Sequence, residues 1–343
     1  MENGLTYDPN NSEGLPVTRI ETISDRSINY KRVGYAKDDG KLSKYKMEPG
    51  DILFSHINSL KHIGKTAYYD GEHPLYHGMN LLLLRTTNEE SARFLFYQLN
   101  TSRFLHRCQV LANQAVNQAS INTRELKGIT LHKPSIKEQI KIADFISLLD
   151  NHIATQIKII EKLESLIKGL CQKLTQQDNP NTALNDTLVC YSSTLQESSV
   201  QEAGDYPVYG ATGVCGYTDT PEVNGDSILI IKDGASVGVT YYASGKYSAI
   251  GTLNRLVAKR GYSLRYLYYC LKVFNFAPYR TGLAIPHIYF RDYGIAKVWC
   301  PSLDEQHRIA DALTKVEQKI AIEKSLLEQL YSQKRFLLQA MFI

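Results

Sequence analysis

The sequence predicts an α+β fold: two related mixed α/β domains, each followed by a long helix, with the two helices pairing as an antiparallel coiled coil. Three observations predict it. First, the chain repeats itself at an offset of 167 residues, Pro134-Ser135-Ile136-Lys137-Glu138-Gln139 returning as Pro301-Ser302-Leu303-Asp304-Glu305-Gln306. Second, apolar residues downstream of each copy keep the 3-4 spacing of a coiled-coil seam. Third, the remainder consists of short apolar runs punctuated by Gly-Asp, Asp-Gly and Ser-Gly pairs, which read as strands and turns.

In chain order, residues 1–133 form the first domain. Its buried strands are expected at Asp51–Phe54 and Leu81–Leu84, with a helix near 89–100. The first long helix follows at 134–174. Proline opens it, and a Glu-Gln pair occupies the first turn, where an acidic group favours the helix N-terminus. Its seam runs through Leu149, Ile153, Ile160 and Leu163, and Gln156 interrupts it. Residues 175–183, Thr-Gln-Gln-Asp-Asn-Pro-Asn-Thr-Ala, are polar around a proline and read as a linker.

Residues 184–300 form the second domain, with strands at Ser227–Ile231 and Leu256–Ala258 and a helix near 263–273. Leu184–Val189 reads as its opening strand and has no counterpart in the first copy. The second long helix, 301–343, carries Val316, Ile320, Leu327 and Leu330 on its seam, with Glu323 at the place of Gln156. About 36 residues at ~1.5 Å each make a rod of roughly 55 Å. That is too long to lie on a single domain, so each helix finds its partner in the other copy.

Composition narrows the class. The 343 residues hold 39 basic and 35 acidic side chains, a net charge of +4, with 43% apolar residues. This excludes a disordered chain, a collagen and a histone-like polycation. The six cysteines are scattered with no Cys-x-x-Cys, and no secretory signal or membrane-length apolar run is visible, so a reduced, cytoplasmic protein is expected.

A search for chemistry returns little. Gly64-Lys65-Thr66 lacks the upstream glycine of a P-loop, since Ser59 stands there. Ile230 occupies the place of the second acid that a nuclease strand through Asp226 and Lys232 would need. Pro74 separates His73 from His77 and disfavours the helix a zinc pair would use. Two divergent domains on two matched helices, without a catalytic motif, suggest recognition.

The doubled Pro-Ser-x-x-Glu-Gln-x-x-Ile-Ala segments at 134–143 and 301–310 carry a resemblance. So do Tyr206-Pro207-Val208-Tyr209-Gly210-Ala211-Thr212-Gly213, Lys232-Asp233-Gly234-Ala235-Ser236-Val237-Gly238 and Gly14-Leu15-Pro16-Val17-Thr18-Arg19-Ile20. Over nearly its whole length the chain resembles the specificity subunit of type I restriction-modification systems. The resemblance implies two target-recognition domains, each reading one half of a split site in double-stranded DNA. It implies a subunit that catalyses nothing alone and docks two DNA methyltransferase subunits, with restriction/translocase subunits added for cleavage. S-adenosylmethionine, ATP and magnesium would belong to those partners, with no cofactor or metal on this chain. A type IIB specificity subunit shares this layout, and a non-catalytic protein-binding scaffold is the reading from another class.

On this reading the DNA-contacting side chains are expected among Lys61, His62 and Lys65 in the first domain and Lys232, Ser236 and Arg280 in the second. The seam residues Leu149, Ile153, Ile160, Leu163, Val316, Ile320, Leu327 and Leu330 are expected to hold the rods together and support partner docking.

Overall fold

The structure is a computed structural model that describes residues 2–24, 26–38, 40, 42–87, 89–115, 118–282 and 284–342. It divides into two compact units, Met1–Thr155 with Leu327–Ile343, and Gln156–Leu326. Each unit therefore takes one domain together with a part of both long helices, which run Ile136–Thr175 and Leu303–Met341.

In the first unit an antiparallel sheet orders its strands as Glu2–Asn3, Leu82–Leu84, Ile52–Phe54 and Thr66–Tyr68. Both of its faces are covered, which explains the unbroken apolar runs in the sequence. Ile52, Phe54, Leu82 and Leu84 face the Ala92–Leu99 helix, while Leu53 and Leu83 face Met47, Tyr69, Leu75 and Leu81. Ala143 and Ile146 of the first long helix join the former core, as do Leu338 of the second and Phe342 just past its end. These two helix segments run antiparallel, and Lys334 forms an ion pair with Asp150.

The second unit repeats the plan. Its central sheet orders Leu188–Ser192, Leu253–Ala258, Ser227–Ile231 and Thr240–Ala243. Ile228, Ile230 and Leu256 pack on the Leu264–Lys272 helix, whose Tyr266, Leu267, Tyr269 and Leu271 are buried. Leu163, Ile167 and Leu170 meet Leu313, Val316 and Ile320 in the same core. A second sheet, of Gly213–Thr218, Tyr206–Gly210, Lys246–Ala249 and Val223–Asn224, covers the other face through Tyr247 and Ala249.

Three readings differ from expectation. The opening strand of the second domain does have a counterpart in the first copy: Glu2–Asn3 lies beside Leu82–Leu84 at the same sheet edge that Leu188–Ser192 holds beside Leu253–Ala258. Leu184–Thr187 is one helical turn, and the strand begins at Leu188. Leu184 and Thr187, three apart, are both fully buried, and the Thr187 hydroxyl donates to the Leu184 carbonyl, so the turn satisfies itself. Within the polar stretch after the first long helix, Thr182–Ala183 is a strand paired antiparallel with Lys297–Val298.

Candidate nucleic-acid interface

The repeated Pro-Ser-x-x-Glu-Gln segment is a joint. Ser135 caps the first long helix, its hydroxyl and backbone N–H both donating to Glu138 (3.0 and 3.3 Å). Gln139 is buried and acts in two directions. Its Nε2 donates to the Pro134 carbonyl (2.9 Å), and its Oε1 accepts from the Ser91 backbone N–H (3.0 Å) at the start of the Ala92–Leu99 helix. Gln306 does the same in the second unit, donating to Pro301 (2.9 Å) and accepting from Ser263 (2.9 Å). Each long helix is thereby fastened to the N-terminus of its domain's aromatic helix.

About three turns further on, a second fastening repeats with different chemistry. Asp150 accepts from the Tyr97 hydroxyl (2.9 Å) and pairs with Lys334. Its repeat equivalent, Glu317, accepts from Tyr268 (3.0 Å), Tyr269 (2.9 Å) and Lys272 (2.5 Å). Burial works against ionisation of Glu317, but the hydrogen bond and charge of Lys272 and the two tyrosine hydroxyls outweigh it and hold the carboxyl below its ordinary value. Burial, aided by Asp150, pushes the Tyr97 phenol up, so it remains a hydrogen-bond donor.

With the domains so held, their loops present polar surface. In the first unit Lys61 and His62 lie on a short 3-10 turn, Leu60–His62, and Lys65 follows Gly64, whose φ of 84° makes the tight return. The loop is closed by the Gly64 N–H to the Ser55 carbonyl (2.9 Å) and the Ser55 N–H to the Lys65 carbonyl (2.8 Å). His62 and Lys65 line one cleft of about 430 Å³ together with Arg32 and Asn58; Lys61 is exposed outside this lining. Partial burial, then Lys65 and Lys61, lower the His62 pKa. Arg32 and Asn58 escaped the sequence reading. So did the hairpin Asn113–Ala115/Gln118–Ser120, which pairs with Ile57–Asn58 beside this cleft and exposes Asn113, Gln114 and Gln118. The doubled Asn-Gln-Ala in that hairpin was the available signal; amide side chains are suited to adenine edges.

In the second unit the loop after Ile231 brings Lys232 and Ser236 near Arg280. Lys232 is half-buried, and its backbone accepts from the Ile288 N–H (2.9 Å). Ser236 is exposed. Arg280 is also exposed, yet one Nη donates to the Val237 carbonyl (3.0 Å), so it braces the loop. A second brace, missed in the sequence, is the Asp233–His287 contact at 2.7 Å, backed by Gly234 N–H to the Pro286 carbonyl (2.9 Å). His287 stacks on Tyr289, and the Arg291 guanidinium lies over that ring at 4.9 Å.

The eight seam residues divide evenly. Leu149, Ile153, Leu327 and Leu330 lie in the first unit, and Ile160, Leu163, Val316 and Ile320 in the second; Leu149, Ile153, Ile160 and Ile320 are buried and the others half-buried. A second apolar stripe, out of phase with the seam, is exposed: Phe145, Leu148, Ile159 and Leu166 on the first long helix, Ile322, Leu326 and Phe336 on the second. All six cysteines are free, and burial pushes the Cys108 thiol up to about 12. Among the described residues no group of three His, Cys, Asp or Glu could hold a metal, and no helix is long and apolar enough to cross a membrane.

The family described as type I restriction modification DNA specificity domain matches twice, at residues 4–165 and 191–332. The chain belongs to that family. Each copy of the specificity domain thus combines a domain with most of its long helix. A Methanocaldococcus jannaschii protein named as the MjaX type I restriction enzyme specificity subunit is 45% identical over 179 residues, 51% of this chain and 42% of that protein. The matched region thus spans less than half of that relative's length. A Mycoplasma pneumoniae protein named as a type I specificity subunit is 23% identical over 90% of this chain and 84% of its own. Among solved structures, the S subunit of a type I restriction-modification system from M. genitalium has the same fold, with a TM-score of 0.61 over 100% of this chain and 99% of that one at 19% identity.

Proposed function

We propose that this specificity-family chain reads a split site in double-stranded DNA, the domain of each unit contacting one half, and docks two DNA methyltransferase subunits. The observation that carries the reading is the contrast within the repeat. The joints at Gln139 and Gln306 are built alike, and the loops after Ser55 and Ile231 close with the same pair of backbone bonds (Gly64 to Ser55 and Ser55 to Lys65; Gly238 to Ile231 and Ile231 to Val239), whereas the side chains the loops present differ and the second loop carries added braces from Arg280 and His287. Constancy in the mount with divergence in the presented surface suits two readers of two different sequences.

Docking is assigned to exposed apolar residues at multiples of the heptad on each helix, Phe145, Ile159 and Leu166 on the first and Ile322 and Phe336 on the second, with Leu148 and Leu326 beside them, which offer partner helices an apolar face. On this reading the chain catalyses nothing alone. S-adenosylmethionine, ATP and magnesium serve the methyltransferase and any restriction/translocase subunits.

The test is to exchange residues 184–300 for the corresponding domain of another family member and sequence the methylome of cells that also express the methyltransferase. One half of the methylated motif should change and the other persist. Replacement of both halves, or of neither, overturns the reading.

A further inference from the structure

The two units differ at one edge. In the second, the linker leaves the first long helix at Thr175, crosses the end of the domain, and adds the strand Thr182–Ala183 to Lys297–Val298. Backbone bonds run from Asn181 N–H to the Val298 carbonyl (3.1 Å) and from Leu184 N–H to the Ala296 carbonyl (2.9 Å). The Asn181 side chain clamps the backbone of Cys300, accepting from its N–H (2.8 Å) and donating to its carbonyl (3.0 Å). Leu184 at the end of this segment is fully buried, and Val298, the strand partner of Thr182, is buried too.

The repeat places Ile129, Thr130, Leu131 and Lys133 of the first unit at the positions of Ala296, Lys297, Val298 and Cys300, and Phe342 at that of Thr175. No strand pairs with this edge among the described residues, and Leu131 is half-exposed where Val298 is buried. A cleft of about 250 Å³ lies along it, floored by Phe104, Leu131 and Phe342 and flanked by exposed Arg103 and Arg107. Backbone donors and acceptors, an apolar floor and a basic wall thus lie side by side, and the second unit shows what such an edge accepts.

We propose that the Ile129–Lys133 edge is a docking site for an extended peptide strand with the pattern Asn-x-x-Leu and flanking acidic residues. Its asparagine would clamp the Lys133 backbone as Asn181 clamps Cys300. The following residues add one antiparallel strand to Thr130 and Leu131, the leucine enters the floor, and the acids meet Arg103 and Arg107. The linker segment Gln177–Thr187 has this pattern, with Asp178 and Asp186 as its acids. The site is independent of the DNA-reading proposal.

The test uses the full chain and a fluorescent, photo-crosslinking peptide of the sequence Gln177–Thr187. Saturable binding is expected, with cross-links at 129–133. Methylating the peptide amide that corresponds to Leu184, or changing its asparagine at the Asn181 position to alanine, should weaken binding about tenfold, and neither alters the protein. Arg103→Glu with Arg107→Glu should weaken it as well. Cross-links at 296–300 instead, equal binding of a scrambled peptide, or no saturable binding would each overturn the proposal.

Discussion

Gln156 and Glu323 occupy the same position of the repeat and are hydrogen-bonded to each other: the Gln156 amide donates to the Glu323 carbonyl (3.1 Å) and to its carboxylate. Lys319 and then Gln156 hold the Glu323 carboxyl below its ordinary value. What reads in sequence as an interruption of both seams is one polar pair. A polar pair in an apolar seam fixes register at a cost in stability.

The pair predicts a sign reversal. Gln156→Leu alone leaves the Glu323 carboxylate without its amide donor and should lower the thermal midpoint. Adding Glu323→Leu should recover it and carry it above wild type. Thermal unfolding followed by circular dichroism reads both; midpoints that fall equally in the single and double variants would show that the two residues are not coupled.

The joints predict matched losses. Gln139→Ala and Gln306→Ala each remove a buried group that satisfies one backbone donor and one carbonyl, and each should cost about 1–3 kcal/mol in urea unfolding. A loss at only one of the two would show that the joints are not equivalent. Leu313→Ala, at a position with 0% exposure, should cost more, roughly 2–5 kcal/mol.

Glu317 predicts a pH dependence. Its carboxyl is held below the ordinary value of 4.5 in the folded chain, so the unfolded chain binds its proton first as the pH falls. Its contribution is fully present above that value and is lost as the pH drops through the carboxylate range. Glu317→Gln should therefore be less stable than wild type at pH 7, with the gap closing below about pH 4.5. A gap that is constant with pH would assign the effect to packing alone. Tyr268→Phe, which removes one donor to Glu317, should shrink the same pH-dependent component.

The long helices and the central strands were legible because their signals are local: seam spacing over many turns, and apolar runs bounded by glycine. Gln139 was legible as a repeated letter but its work was not, because the Ser91 amide it accepts from is 48 residues away. Thr182–Ala183 read as linker because a two-residue strand has no alternation to detect; its pairing comes from Val298, beyond any local window. The strands Asn113–Ala115 and Gln118–Ser120 hold no apolar residue larger than alanine, so they leave no periodic trace. Among the residues proposed to contact DNA, sequence could select basic and polar side chains in loops. It could not show that Arg280 also braces the Val237 carbonyl, or that Arg32 and Asn58 share a cleft with His62 and Lys65.

The interface predicts a separation of affinity from specificity. Lys61 and Lys65 are exposed cations in one loop, suited to phosphate; Lys61→Ala and Lys65→Ala should weaken binding to all sequences alike and flatten the salt dependence, by about one unit of slope for each phosphate left unneutralised. Asn113, Gln114 and Gln118 present amides on the neighbouring hairpin. Replacing each by alanine should leave the salt slope unchanged and relax one position of the first half-site, by ~1–3 kcal/mol for each base pair left unread. Arg280→Ala should behave as neither, because its guanidinium holds the 233–238 loop: several adjacent positions of the other half-site should relax together. Affinities of the methyltransferase complex for a panel of single-base variants, at two salt concentrations, distinguish the three patterns. Hairpin variants that lower affinity for every sequence equally would move those amides from the bases to the backbone.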